Sequence, residues 1–254
     1  MPRVAQSVID NRREAMTKLL RDRSYLPIGE LCKRFRISEA TARRDLAALQ
    51  RERTIVRTFG GAMADYDRRF APFADRLKLN AAAKARIAAR AVRLVAPRMT
   101  VFIDAGTTPF AVADLLRRNP PADVRVVTNS LAVVERLTGV RGIEPDLLGG
   151  RLLPNQAVFL GPETCRAALF YAFDVALLGG EAFDATGVWN SSPEVVDLQR
   201  AVIDQSRRHA LLLDATKADR AAPAKLMTWD EVDVLITDAA PDAADVPEDK
   251  VLIA

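Results

Sequence analysis

The sequence predicts an α/β main domain with a mostly parallel sheet, carried behind a small N-terminal helical domain. Three observations predict it. From residue 100 onward, short apolar runs alternate with amphipathic stretches, the pattern of buried strands separated by helices. Before residue 60, three short helical stripes follow one another and lead to Gly60-Gly61. The charge is also uneven: residues 1–60 carry 14 Lys/Arg against 7 Asp/Glu, and the remaining 194 carry 23 against 26. Such a local excess marks a polyanion-binding end joined to a near-neutral body. The expected division is 1–62 for the basic domain, 63–80 for a linker and 81–254 for the larger domain.

Composition narrows the class further. At 49% apolar over 254 residues the chain can bury a sizeable core, which excludes intrinsic disorder. No apolar run reaches the length of a membrane span, and the charged first twenty residues lack the apolar centre of a secretion signal. Cys32 and Cys165 are too few for a disulfide framework or a metal cluster, so a cytoplasmic protein without cofactor or metal is expected. The single His209 leaves no partner set for nucleophilic catalysis.

In the first stripe Ile9, Met16, Leu19 and Leu20 share a face; in the second Ile28, Leu31, Cys32 and Phe35 recur at helical spacing; in the third Ala42, Leu46 and Leu49 do. Between the last two lies Arg36-Ile37-Ser38, where the Ser38 hydroxyl suits an N-cap. A short helix, a tight turn and a capped helix describe a helix-turn-helix. With Ala42, Leu46 and Leu49 inward, Ala40, Arg44, Ala47 and Arg51 point directly away, flanked by Thr41 and Arg43. Small alanines permit close approach, while arginines and hydroxyls reach phosphates and base edges, as a major-groove helix requires. Thr54–Gly61 then alternates apolar and polar residues into a glycine turn, which reads as a wing that sets Arg57 against the DNA backbone.

Residues 63–80 lack a sustained period, and a helix is expected from Ala81 to Val95, stopped by Pro97. Strands are expected at Thr100–Asp104, Val124–Thr128, Pro145–Leu148, Val175–Leu178, Ala210–Asp214 and Val232–Thr237. Helices are expected near 110–118, 130–138, 163–171 and 194–206. Polar small-residue clusters close these strands: Asp104-Ala105-Gly106-Thr107-Thr108, Thr128-Asn129-Ser130, Gly149-Gly150, Gly179-Gly180 with Asp184, and Asp214-Ala215-Thr216-Lys217. Ligands of parallel sheets bind beyond the carboxyl ends of strands, and a phosphate suits the hydroxyl-rich loop 104–108 before the next helix. There is neither a Walker lysine nor G-x-G-x-x-G, which disfavours a nucleoside triphosphate or a dinucleotide.

The N-terminal residues Ser38-Glu39-Ala40-Thr41-Ala42-Arg43-Arg44-Asp45-Leu46, followed by Arg57-Thr58-Phe59-Gly60-Gly61-Ala62, resemble the signature of DeoR-type bacterial transcriptional regulators, S-x-x-T-x-R-R-D-L then R-x-x-G-G-A. The resemblance continues through Phe73, Arg76 and Lys84, the five clusters, Gly161, Asp184/Gly187, Asp214/Lys217 and Thr237/Asp238. It implies a winged helix-turn-helix with Ser38, Thr41, Arg43, Arg44 and Arg57 on DNA, and Asp45 orienting an arginine or closing the domain. It also implies a sensor domain similar in fold to ribose-5-phosphate isomerase, with Asp104, Gly106, Thr107, Thr108, Asn129, Ser130, Gly150, Asp184 and Lys217 around a phosphorylated sugar.

Double-stranded operator DNA, a sugar phosphate and a second copy of the chain, as dimer or tetramer, are the partners so implied. The sequence departs from the family where a lysine is common and Gln199 stands. Two other readings follow from the same residues. One is a phosphosugar isomerase using Asp104, Asp184, Glu194 and Lys217, although the glycine-rich run that accompanies the catalytic glutamate is missing. The other is a DNA-binding protein whose second domain only oligomerises.

Overall fold

The computed structural model describes residues 6–23, 25–52, 55–57, 61–64, 71–220, 222–240 and 246–254. Two compact units divide between Ala71 and Pro72.

In the first unit, α1 (Gln6–Arg23), β1 (Tyr25–Pro27), α2 (Ile28–Phe35), α3 (Glu39–Arg51), β2 (Ile55–Arg57) and β3 (Gly61–Ala64) follow in order. Met16, Leu20, Leu31, Leu46 and Leu49 from the expected stripes meet Leu26, Ile55 and Ala62 in one core. Helix α2 ends at Arg36, whose φ of 50° is a left-handed cap, and Ser38 starts α3 by accepting from the Thr41 N–H at 3.3 Å. The wing is broader than expected, because β3 pairs antiparallel with both β1 and β2. Three-residue strands carry too little period to be read before their partners are known. Ala47 is half-buried rather than turned directly away.

The second unit begins with α4 (Phe73–Lys78) and α5 (Ala81–Ala91). The end of the segment read as a linker is thus helical, and Phe73 packs edge-on against Phe110 on the main core. There follow β4 (Thr100–Ile103), α6 (Thr107–Arg118), β5 (Val124–Thr128), α7 (Leu131–Leu137) and β6 (Ile143–Leu147). Next come the hairpin β7 (Arg151–Leu153) and β8 (Val158–Leu160), α8 (Pro162–Ala168) and β9 (Val175–Leu178). The chain continues with β10 (Ala182–Asp184), β11 (Gly187–Asn190), α9 (Pro193–Asp204), β12 (His209–Leu212), β13 (Ala224–Met227), β14 (Val234–Thr237) and β15 (Val251–Ile253).

Seven of these strands form a sheet in the order β15-β14-β12-β9-β4-β5-β6, and every pairing in it is parallel. Strands β9, β12 and β14 are buried on both faces, which is why they read as continuous apolar runs. From β4 the sheet grows through β5 to β6 on one side, then restarts at β9 and grows the other way. That reversal makes the β4/β9 junction a topological switch point, the position beyond the carboxyl ends of strands at which open parallel sheets bind ligands. The small antiparallel sheet β10-β11-β13, the β7-β8 hairpin and β15 were not among the expected strands. No helix among the described residues is long and apolar enough to cross a membrane.

Candidate functional site

Asp104, directly after β4, spans the switch point. Its Oδ2 accepts the Gly179 N–H of the β9 end at 3.0 Å and the Gln199 Nε2 of α9 at 2.7 Å, while Oδ1 accepts the Ala105 N–H at 2.8 Å. Burial pushes its carboxyl above the usual range, and these three donors oppose that. The loop then turns at Gly106, where a Cβ would stand 2.9 Å from Pro109 Cδ, so a side chain here would press on the Pro109 ring, while meeting Gly179 Cα only at an ordinary 3.8 Å. Thr107 and Thr108 open α6. Both are buried, and neither hydroxyl has a hydrogen-bond partner among the described residues. Unbonded hydroxyls at the first turn of a twelve-residue helix suit an anion.

Lys217 is the cation that acts on Asp104, and Lys84 and Arg76 cluster with it. Lys217, in the short turn after β12, donates to the Gly180 carbonyl. Lys84, on α5, donates to the Arg76 carbonyl at 2.6 Å, and the Arg76 guanidinium reaches Gln156 Oε1 at 2.7 Å. Burial lowers both lysines. Lys84 falls to about 8, through desolvation first and then the nearby Lys217, with Asp214 opposing. Lys217 is lowered by desolvation, which Asp214 and Glu181 partly offset. Asp214 is itself held by Asn80 Nδ2 at 3.2 Å and by the Thr216 N–H at 3.2 Å. Crowded, desolvated ammonium groups gain from an incoming anion, which stabilises their charged forms.

The remaining expected site residues serve the frame. Asn129 accepts the Ala105 N–H at 3.1 Å and so ties the β5 end to the Asp104 loop. The Ser130 hydroxyl caps α7 through Val133 N, and Thr128 donates to the Ile103 carbonyl. Asp184 closes the β10–β11 turn; burial would raise its carboxyl, but the Thr186 hydroxyl and the N–H groups of the turn hold it below the ordinary value. Gly150 follows β6, four strand positions from β12 in the sheet, roughly 19 Å at about 4.8 Å per strand. The sheet order therefore does not bring Gly150 together with Lys217. In the sequence Lys84 and Arg76 are marked only by the family resemblance, and Asn80 and Gln156 carry no signal. Their pairing across 80 and 134 residues is what gathers them.

On the N-terminal unit, Ser38, Arg43 and Arg44 lie on the exposed side of α3 and Thr41 is half-buried beside them. Thr41 and Ser38 share a hydroxyl contact of 3.0 Å. Asp45 is 3% exposed and accepts from Arg12 Nη2 at 2.7 Å and Arg13 Nε at 3.1 Å, both on α1. It orients arginines and closes the domain. Arg57 lies on β2, and its side chain is outside the described residues.

Comparison with known proteins agrees with both units. The DeoR-like helix-turn-helix domain family matches residues 12–67, and the DeoR C terminal sensor domain family matches residues 79–239. The glycerol-3-phosphate regulon repressor of Escherichia coli (strain K12) is 31% identical over 231 residues, covering 91% of this chain and 91% of that protein. The transcriptional repressor AccR of Agrobacterium fabrum is 32% identical over 237 residues, covering 90% and 89%. The L-fucose operon activator of Escherichia coli (strain K12) is 28% identical, covering 89% and 94%. Among solved structures, ribose 5-phosphate isomerase A from Methanocaldococcus jannaschii aligns over 55% of each chain at a TM-score of 0.39 and 15% identity.

Proposed function

The chain belongs to the DeoR family of transcriptional regulators, and from that premise we propose that it represses a carbohydrate operon and leaves its operator when a phosphorylated sugar fills the switch-point crevice. The observation that carries this reading is the meeting of the Asp104 loop, Gly179 and the Lys84/Lys217 pair at one end of the sheet. In this reading Gly106, Thr107 and Thr108 cradle the phosphoryl group with the N–H groups of the first turn of α6. Lys217, Lys84 and Arg76 supply the counter-charge. Asp104, fixed by Gln199, faces the sugar, and Asn129, Ser130 and Asp184 shape the walls.

We read the site as binding rather than catalytic. A carboxylate already accepting three N–H donors is a poor candidate to take a substrate proton. On DNA, Thr41, Arg43 and Arg44 address the major groove, Ser38 the entry to the helix and Arg57 the backbone. One winged module buries little DNA, so two copies of the chain pair, as dimer or tetramer, to read two half-sites in the cytoplasm. The effector acts only through a preference for the arrangement that does not bind DNA.

The full chain tests this directly. A duplex selected from a randomised library is bound, and sugar phosphates are added beside their unphosphorylated sugars, with thermal melts in parallel. At a hundred times its dissociation constant a true effector adds about 2.7 kcal/mol of stability. Release and stabilisation by a phosphorylated sugar alone support the reading. Equal effects from the unphosphorylated partner, or release by none of a broad panel, would overturn it.

A further inference from the structure

We propose that Glu39 determines operator specificity by positioning Arg43 for a single guanine while cancelling its attraction to phosphates. The inference rests on the reading of Arg43 as a base contact. Arg43 Nε donates to Glu39 Oε1 at 3.1 Å, and Nη2 donates to the same oxygen. Glu39 is the first residue of α3 and Arg43 lies one turn later, each side chain 55% exposed. Two of the five guanidinium donors are thereby used along one edge. One hydrogen each of Nη1 and Nη2 remains on the outer edge, the fork that matches guanine O6 and N7.

Stability is too small a reason for this carboxylate. An exposed pair at this spacing contributes about 0.3–0.5 kcal/mol and an acid in the first helical turn about 0.3–1 kcal/mol, neither of which requires the acid to grip a DNA-facing arginine. The cost falls on binding, since Glu39 stands among Thr41, Arg43 and Arg44 in the most basic part of the chain. A neutral Glu39–Arg43 unit releases no counterion, so it adds geometry without adding salt-dependent affinity. Arg44 differs. Its Nε donates to the Ala40 carbonyl at 3.3 Å, and no carboxylate among the described residues pairs with it. The two adjacent arginines thus divide the work: Arg43 reads and Arg44 attracts.

The test is selection of duplexes from a randomised DNA library by the full chain, by Glu39→Gln, by Glu39→Asp and by Arg43→Ala, with affinities measured at several salt concentrations. Glu39→Gln is expected to lose roughly 5- to 100-fold of preference at the base pair that Arg43→Ala also loses. At the same time it should bind unrelated DNA more tightly, with a salt slope steeper by about one. Glu39→Asp, which keeps the charge and shortens the reach, should lose the preference without steepening the slope. Unchanged base preference in Glu39→Gln overturns the proposal. So does a loss at a base pair that Arg43→Ala leaves intact, because Glu39 would then be reading that base itself. If Arg43→Ala loses no preference anywhere, the failure lies in the base-contact reading of Arg43, and the positioning role falls with it.

Discussion

The side-chain amide of Gln199 lies 2.7 Å from Oδ2 of Asp104 and 2.7 Å from the Gly179 carbonyl, joining α9 to both sides of the switch point. Its Oε1 accepts Asn190 Nδ2 at 2.8 Å, so every polar atom of this fully buried amide is used. A leucine of similar size would strip Asp104, Gly179 O and Asn190 of a partner each. Gln199→Leu is expected to destabilise the larger domain by about 2–4 kcal/mol, read as a lowered melting temperature. A shift within experimental scatter would show that water replaces the amide. A lysine here, as the family resemblance places it, would set an ammonium beside Asp104, so this chain holds with a neutral amide what an ion pair could hold.

Lys84 gives a pH signature. Its folded-state value of about 8 lies below its ordinary 10.5, so the native state binds fewer protons than the unfolded chain between those values. Stability from this group therefore rises with pH from about 8 to 10.5, and the full cost of burying the charge is present below 8. Lys84→Met is expected to melt higher than the parent at pH 7, by a margin that shrinks towards pH 10, while response to a sugar phosphate is lost. Denaturation of both proteins across that range decides it, and a constant margin would remove Lys84 as the cause.

The same lysine should take up a proton when an anion arrives. At pH 8 an anionic effector that restores the Lys84 charge brings in about half a proton per site, and at pH 6.5 almost none. Calorimetric titration in two buffers of different ionisation enthalpy measures this. Identical heats in both buffers at pH 8 would separate the anion from Lys84.

Asp45 supports α3, the helix proposed to read DNA, from its buried side. Its two arginine partners are 16% and 24% exposed, so solvent screens them in part. Asp45→Ala is expected to cost about 1–3 kcal/mol of stability in the first unit and to weaken binding to all DNA sequences together. Loss of preference at one base pair alone would instead make Asp45 a reader.

Gly150 tests local geometry against ligand contact. Its φ is +132°, and a Cβ there would stand 2.1 Å from Thr164 Oγ1 and 3.0 Å from the Leu160 carbonyl. Gly150→Ala is expected to destabilise by about 2 kcal/mol or more and displace the β7–β8 hairpin. If stability is unchanged, the contact with α8 is looser than its geometry implies.

Arg44→Ala separates phosphate from base contact. As no carboxylate among the described residues pairs with Arg44, the substitution is expected to weaken binding evenly across sequences and to lower the salt slope by about one. A loss of about 1–3 kcal/mol confined to one base pair would assign it to a base edge instead.

Much of this molecule was legible in order along the chain. The stripes of Met16/Leu20, Leu31 and Leu46/Leu49 became the small core, and Val124–Thr128 and Val175–Leu178 are strands at the expected residues. Ser38 caps α3 because a hydroxyl three residues from an orphan N–H is a local arrangement. Helical and strand periods, caps and turn residues depend on neighbours a few positions away, so they leave a trace in sequence.

Tertiary structure alone decided which polar residues meet. Nothing near Gln199 signals Asp104, 95 residues earlier, nor does Asn80 point to Asp214, 134 residues later. The β1–β3 and β11–β13 pairings and β15 on the sheet edge likewise depend on partners distant in sequence. The sequence by itself determined two domains, the Ser38-capped helix and the strand-end loops, because those rest on local spacing and periodic burial. The fold decided that the Asp104 loop closes against Gly179 at the point where strand order reverses, and that Lys84 and Lys217 crowd there until burial lowers both. Desolvation and long-range hydrogen bonding are properties of the packed neighbourhood, and the chain acquires that neighbourhood only by folding.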